Sequence, residues 1–277
     1  MNPNEINSTR FFPSLKGLES GRTPSGFWYG LLGAGPPVLL LPGFGASHSA
    51  WSFLVPALKR EFSLVLVDLP GVGNGPPLRT EQGPEQLAEP LVGLLDHLEI
   101  DRIHVLGASL GGWVGMWLAW RSPDRISRLV LAGSMARLEE GARARFQKRV
   151  EEMGPSTGGF ARSMVQDMLA PAFVDMHPKL VDAVVLAYSI SLPSPSSLGV
   201  LAGLIAGADL SSHLHEIHSP VLLLHGDQDD LVSPESAKGL AEALPSAVLK
   251  RFEGAGHHVL LERRVEALKE IRAFFQQ

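Results

Sequence analysis

One stretch constrains this 277-residue chain more than any other: Ile103-His-Val-Leu-Gly-Ala-Ser109-Leu-Gly-Gly-Trp113. A short apolar run of strand length ends in Gly107-x-Ser109-x-Gly111, and an apolar segment of helix length follows at once, from Trp113 to Trp120. A strand that turns sharply into a helix at a serine exposes the hydroxyl at the turn. Glycines at 107 and 111 leave room that larger side chains would obstruct. The N-terminus of the following helix also offers backbone N–H groups to a developing negative charge. The chain has 29 glycines, so the pattern alone is weak. Its meaning depends on what the rest of the sequence supplies.

The surrounding sequence supplies a sheet. Val38–Pro42, Ser63–Asp68, Arg128–Gly133, Val221–Gly226 and Ala247–Phe252 are further strand-length runs, and Gly26-Phe-Trp-Tyr-Gly30 reads as a strand in an opening hairpin. Helical spacing marks Ser49–Glu61, Pro84–Glu99, Pro234–Ala243 and Val265–Phe275. Nearly unbroken apolar strands that alternate with helices imply a mostly parallel sheet covered on both faces, an α/β fold. Residues 135–211 break the rhythm. They hold helical stretches such as Leu138–Met153 and Lys179–Ser191 and no convincing strand, and the segment is too long for an ordinary connection. The expected organisation is a core formed by residues 1–134 and 212–277, with residues 135–211 inserted as a helical cap.

Composition narrows the function classes. The chain is 45% hydrophobic and 19% charged, as a globular protein is. A net charge of −5 without a basic cluster argues against nucleic acid as a partner. Cysteine is absent, which excludes disulfides and thiol catalysis. Residues 1–10 are polar and read as loose, and Met1–Lys16 has no apolar h-region, so no secretory signal is expected. No segment approaches roughly 18 uninterrupted apolar residues, so no membrane span is expected. The expectation is a cytoplasmic protein. No His, Asp or Glu cluster has metal-ligand spacing, and neither metal nor cofactor is called for.

A serine hydroxyl is a poor nucleophile unless a base takes its proton and a third group orients that base. The base candidates stand in Gly254-Ala-Gly256-His257-His258, just after the last strand. A histidine in a glycine-flanked loop at a strand end can reach a neighbouring strand end. His257 directly follows Gly256 and is the candidate, with His258 as bystander. The acid candidates are Asp227, Asp229 and Asp230, in the loop after Val221–Gly226. One buried carboxylate suffices, and loop aspartates otherwise stay solvated or cap a helix. Serine, aspartate loop and histidine each fall at the C-terminal end of an expected strand, where open parallel sheets place their sites. Gly43-Phe44-Gly45 after the first long strand, with the Leu110 amide beside the serine, could donate to an oxyanion.

These blocks together resemble the α/β-hydrolase superfamily from about Phe27 to Phe275. Leu41-Pro-Gly-Phe-Gly45, Asp68-Leu-Pro-Gly71, Gly107-Ala-Ser-Leu-Gly111, Gly226-Asp-Gln-Asp229 with Pro234, and Gly256-His257 with Glu262 carry the likeness. The resemblance implies an α/β-hydrolase fold with a mostly parallel sheet. It implies Ser109 as nucleophile, His257 as base, Asp229 as the acid, and the Phe44 and Leu110 amides as oxyanion donors. Departures bear on substrate. Leu41-Pro42-Gly43 stands where the family often has His-Gly, and Asp68-Leu-Pro-Gly-Val-Gly-Asn lacks the common Gly-His-Gly-x-Ser ending. Members that cleave carbon–carbon bonds after ring opening often carry Trp where His258 stands. The menaquinone-pathway synthase tends to have Arg at the position of Trp113. Haloalkane dehalogenases and epoxide hydrolases use Asp where Ser109 stands.

The implied reaction is hydrolysis of small to medium, rather apolar carboxylic esters through an acyl-enzyme. The alternatives are a carbon–carbon hydrolase or lyase using the same triad, or a non-catalytic ligand-binding member. His48, Trp113, Met164 and Met168 are the candidate substrate contacts. Each has a plainer reading as helix flank or core packing, although a methionine-rich surface adapts to varied ligands. Arg143, Arg145 and Arg149 read as a solvated helix face, and His213, His215 and His218 as incidental.

Overall fold

The computed structural model describes residues 15–153 and 157–277. The loose polar stretch expected at residues 1–10 lies outside the described residues. Among the described residues eight strands form one sheet: β1 (Glu19–Arg22), β2 (Trp28–Leu32), β3 (Pro37–Leu41), β4 (Ser63–Val67), β5 (Ile103–Ala108), β6 (Ile126–Ala132), β7 (Val221–Gly226) and β8 (Ala247–Phe252). Their spatial order is β1-β2-β4-β3-β5-β6-β7-β8. The β1–β2 and β2–β4 pairs are antiparallel, and every pair from β4–β3 to β7–β8 is parallel. The opening hairpin expected near residues 26–30 is β1–β2.

The strands alternate their burial between two cores, as a period of two demands. Leu39, Val65, Val105, Leu129 and Leu223 face one side of the sheet. Val38, Leu40, Leu64, Leu66, Leu106, Val130 and Leu224 face the other. Helices cover both sides, which explains why every residue of β7 is buried. Helix α1 (Glu89–His97) and helix α2 (Leu110–Arg121) pack on the first face through Leu91, Leu94, Leu95, Val114 and Met116. A terminal helix packs on the second through Ala267, Ile271, Phe274 and Phe275. Fully burying one such leucine or phenylalanine is worth about 1.5–3 kcal/mol, so the apolar runs and not the polar loops set the architecture.

Among the described residues five α-helices run between β6 and β7: α3 (Glu140–Glu151), α4 (Thr157–Met168), α5 (Pro171–Met176), α6 (Pro178–Ser191) and α7 (Pro195–Gly207). After β7 come α8 (Pro234–Ala243), α9 (Val259–Glu262) and α10 (Arg264–Phe275). Helix α8 begins where Ser233 accepts a hydrogen bond from the Ser236 N–H and Pro234 takes the first turn. The helix expected over Ser49–Glu61 is instead a 3₁₀ turn, His48–Trp51, followed by a single helical turn, Val55–Leu58. The one expected over Pro84–Glu99 divides into a 3₁₀ turn, Pro84–Leu87, and α1, with Pro90 in α1's first turn. Among the described residues no single helix is long and apolar enough to cross a membrane.

Candidate active site

The turn after β5 is strained where the chemistry is expected. Ser109 has φ +51° and ψ −115°, a conformation that a non-glycine residue adopts only when its surroundings enforce it. The enforcement is visible. Ser109 N–H donates to the Ala132 carbonyl at 2.8 Å, and the Ser134 hydroxyl donates to the Ser109 carbonyl at 3.2 Å. A Cβ on Gly111 would collide with the Leu41 carbonyl, so this glycine lets α2 start directly against β3. The serine is thereby half-buried and faces a cavity of about 270 Å³.

The other expected groups come from three neighbouring strand ends. Among the aspartates after β7 only Asp229 is buried, while Asp227 and Asp230 are exposed. Its Oδ1 accepts the Leu231 and Val232 N–H groups, each at 2.9 Å, and its Oδ2 accepts from His257 Nδ1 at 2.8 Å. That bond puts the His257 proton on Nδ1 and leaves Nε2 as an acceptor. Both Ser109 and His257 border the cavity, and no direct hydrogen bond joins them among the described residues. Contacts of this kind are often loose before substrate binds.

Electrostatics favour this arrangement. Burial by itself pulls His257 down, but the charge of Asp229 and their hydrogen bond outweigh it and hold the imidazole above its ordinary value. Burial likewise pushes the Asp229 carboxyl up, and His257 with the Val232 N–H outweighs it, leaving the carboxylate below its usual range. His225 on β7 also faces Asp229, 3.6 Å away, and its Nε2–H donates to the Val232 carbonyl at 3.0 Å. Burial lowers His225, so it stays neutral and does not compete for the carboxylate.

The two expected backbone donors stand in segments that adjoin Ser109. Gly43 lies against its Cβ, since a side chain built on Gly43 would meet that atom at 3.5 Å. Among the described residues neither the Phe44 nor the Leu110 N–H is donated to another protein group. Unpaired N–H groups beside a serine can receive an oxyanion.

The expected substrate contacts divide. Met168 borders the cavity. His48, Trp113 and Met164 do not, among the described lining residues. His48 is buried, and its Nδ1 is held by Asp68 at 2.9 and 3.0 Å. Trp113 is packed in the core on α2. Met164 is also buried, its sulfur 3.6 Å from an Arg149 nitrogen. Conversely, His258 does border the cavity, its ring 5.8 Å from that of Phe53. Burial and the neighbouring His257 push it down to about 4, so it is neutral there.

Tyr188 and Glu262 complete the frame. The Tyr188 hydroxyl donates to the Phe44 carbonyl at 2.9 Å. Glu262 accepts the Gly256 N–H at 3.1 Å and the Ala170 N–H at 3.0 Å, tying the His257 loop to the start of α5. Burial pushes the Glu262 carboxyl up. Glu262 has a sequence signal in its spacing from His257. Tyr188 has none, since its partner is 144 positions away.

Residues 36–264 match the model of the alpha/beta hydrolase fold family. The chain belongs to the α/β-hydrolase family. It is 30% identical over 256 residues to a 2-hydroxy-6-oxo-2,4-heptadienoate hydrolase of Pseudomonas putida, covering 88% of this chain and 90% of the relative. It is 33% identical over 237 residues to a pimeloyl-[acyl-carrier protein] methyl ester esterase of Vibrio vulnificus, covering 81% and 88%. The solved structure of a hydrolase from Pseudomonas aeruginosa superposes with a TM-score of 0.83 at 26% identity, over 95% of this chain and 99% of that one. Hydrolysis is what these relatives share, and the two curated relatives are named for different substrates. The choice among them for this α/β-hydrolase rests on its own cavity.

Proposed function

We propose that this chain is a serine esterase for small to medium, uncharged and largely apolar carboxylic esters, working through an acyl-enzyme. The observation that carries the reading is the Asp229–His257 pair opening, beside Ser109, onto a cavity with no lysine, arginine, aspartate or glutamate among its described lining residues. Its walls include Trp51, Phe53, Val165, Leu180, Val184 and Leu260. In this reading residues 135–211 act as a cap on a core of residues 1–134 and 212–277.

Ser109 Oγ attacks the ester carbonyl carbon while His257 Nε2 takes its proton, and the carbonyl π pair moves onto oxygen. The Phe44 and Leu110 N–H groups receive that oxyanion. Asp229 holds the proton-bearing Nδ1 and stabilises the imidazolium. On collapse the carbon–oxygen bond to the alcohol breaks, and His257 protonates the leaving oxygen. Water then attacks the acyl carbon, gives a proton to His257, and Ser109 departs with that proton.

The second reading, hydrolysis of an oxo-acid like that named for the P. putida relative, meets a physical objection. Such a substrate carries a carboxylate, and burying one without a cationic partner costs several kcal/mol. Methyl butyrate is therefore expected to be turned over at least about 100-fold more efficiently than monomethyl succinate. Equal kcat/KM values for the two would favour the second reading. Ser109→Ala is expected to abolish hydrolysis of p-nitrophenyl butyrate with the fold intact by circular dichroism. Turnover retained in that variant would sink the proposal, and so would a wild-type protein that no fluorophosphonate probe labels at Ser109.

A further inference from the structure

We infer that Tyr188, on the helical insertion, is a positioning residue for the oxyanion hole, so that the insertion helps to build the catalytic centre as well as cover it. The inference rests on the assignment of the Phe44 N–H as an oxyanion donor. Residues Gly43–Ala46 form a four-residue turn closed by the Ala46 N–H to the Gly43 carbonyl at 3.2 Å, with Gly45 at φ +64°. A positive φ at the third position is what a type II turn requires, and types I and II differ mainly by rotation of the central peptide. Here that peptide is Phe44–Gly45. Its oxygen accepts the Tyr188 hydroxyl at 2.9 Å, in a buried contact.

Nothing within the turn itself holds that oxygen. The restraint comes from α6, whose own position is fixed against the same loop by Ser191, hydrogen-bonded to Ser47 at 3.0 Å and to Ser49 at 3.3 Å. A second hold comes from α3, where Phe146 packs edge-on against the Phe44 ring with 4.7 Å between centroids. Carbonyl and ring of Phe44 are therefore both held by helices of the insertion. The Gly43–Phe44 peptide, which carries the Phe44 N–H, is oriented by the Ala46 N–H on the Gly43 carbonyl, so holding the Phe44 carbonyl and ring keeps this turn, and with it that N–H, in place. Burial pushes the Tyr188 hydroxyl far above its ordinary value, so it remains a donor throughout the working range of the enzyme.

The test pairs Tyr188→Phe with Phe146→Leu in the full chain. Tyr188→Phe keeps the ring that lines the cavity and removes only the hydroxyl. Losing one oxyanion donor outright costs about 100–1000-fold, so misaligning one is expected to lower kcat roughly 10- to 100-fold, with KM changed less than about twofold. Phe146→Leu, on a different helix and outside the cavity lining, is expected to shift kcat in the same sense. An alkyl trifluoromethyl ketone, which accepts Ser109 Oγ at its carbonyl carbon and places an oxyanion in the hole, is expected to bind more weakly by the same factor as kcat. The matching methyl ketone is expected to bind equally to wild type and variant. Wild-type kcat in Tyr188→Phe, or a loss carried wholly by KM, would overturn the inference. Fluorophosphonate labelling separates the two levels: a labelled, active wild type with an unaffected Tyr188→Phe removes this inference alone, whereas an unlabelled wild type removes the esterase reading and this inference with it.

Discussion

The molecule holds two buried histidine–carboxylate pairs of nearly the same geometry. His257 Nδ1 meets Asp229 at 2.8 Å, and His48 Nδ1 meets Asp68 at 2.9 Å. Each carboxylate stands just past the end of a parallel strand, β7 or β4, and each also accepts backbone N–H groups. The difference lies on the far side of the ring. His257 borders the cavity beside Ser109. His48 Nε2 is buried with no hydrogen-bond partner among the described residues, and the ring lies against Trp28 with centroids 4.4 Å apart. A histidine–aspartate contact is therefore no sign of catalysis by itself. What the second nitrogen faces decides between a base and a strut. Asp68 gathers the His48 N–H, the His48 ring and the Asn74 N–H at one point, and so ties the loop carrying Phe44 to the loop after β4.

The sharpest way to break the comparison is to remove the charge from each pair in turn. Asp229→Asn is expected to lower kcat by about 10⁴, because an amide no longer fixes the productive tautomer of His257. Asp68→Asn is expected to lower it by less than about tenfold, since its partner touches no reacting atom. Steady-state kinetics on p-nitrophenyl butyrate measures both. Similar losses in the two variants would mean that His48 takes part in the chemistry.

Stability should order the pairs differently. Asp68→Ala leaves the His48 N–H, the His48 ring and the Asn74 N–H without their acceptor in a buried site. Each orphaned donor costs about 1–3 kcal/mol, and relaxation keeps the sum below full additivity. A loss on the order of 3 kcal/mol in denaturant unfolding is expected. Glu262→Ala, which strands the Gly256 and Ala170 N–H groups, is expected to cost about 2 kcal/mol by the same reasoning. A midpoint unchanged in Asp68→Ala would remove its role as a strut.

How much of this was legible in the sequence follows from the range of each interaction. The strands and the Ser109 turn were readable because period and apolar runs are local signals, and a doubly covered sheet leaves them unbroken. The choice of Asp229 over Asp227 and Asp230 came from the family pattern, since all three look alike in the chain. The structure separates them by burial, with Asp227 instead holding the Gly254 N–H at 2.7 Å in an exposed loop. His48 and Trp113 lie near Phe44 and Ser109 in sequence, and Met164 on the insertion, but they turn toward Asp68, the core and Arg149. A side chain's direction depends on packing that no short window encodes. Tyr188 and Ser191 reach partners about 140 positions away, through helices whose docking the local spacing does not specify.

The smallest expected effect is a shift in a pH profile, and it concerns the working pair alone. In the proposed mechanism neutral His257 accepts the Ser109 proton, so its protonation is expected to abolish the activity. Because Asp229 outweighs burial and holds His257 above the ordinary 6.5, kcat/KM should rise with pH through an apparent pKa above that value and then level off. Asp229→Asn removes the charge while burial continues to disfavour the imidazolium. The limb of the residual activity should therefore move to lower pH, measured with p-nitrophenyl butyrate across pH 5 to 9 and corrected for spontaneous hydrolysis. Asp68→Asn should leave the limb where it is in wild type, because His48 meets neither Ser109 nor the cavity. A limb that moves in Asp68→Asn and stays in place in Asp229→Asn would exchange the roles assigned to the two pairs.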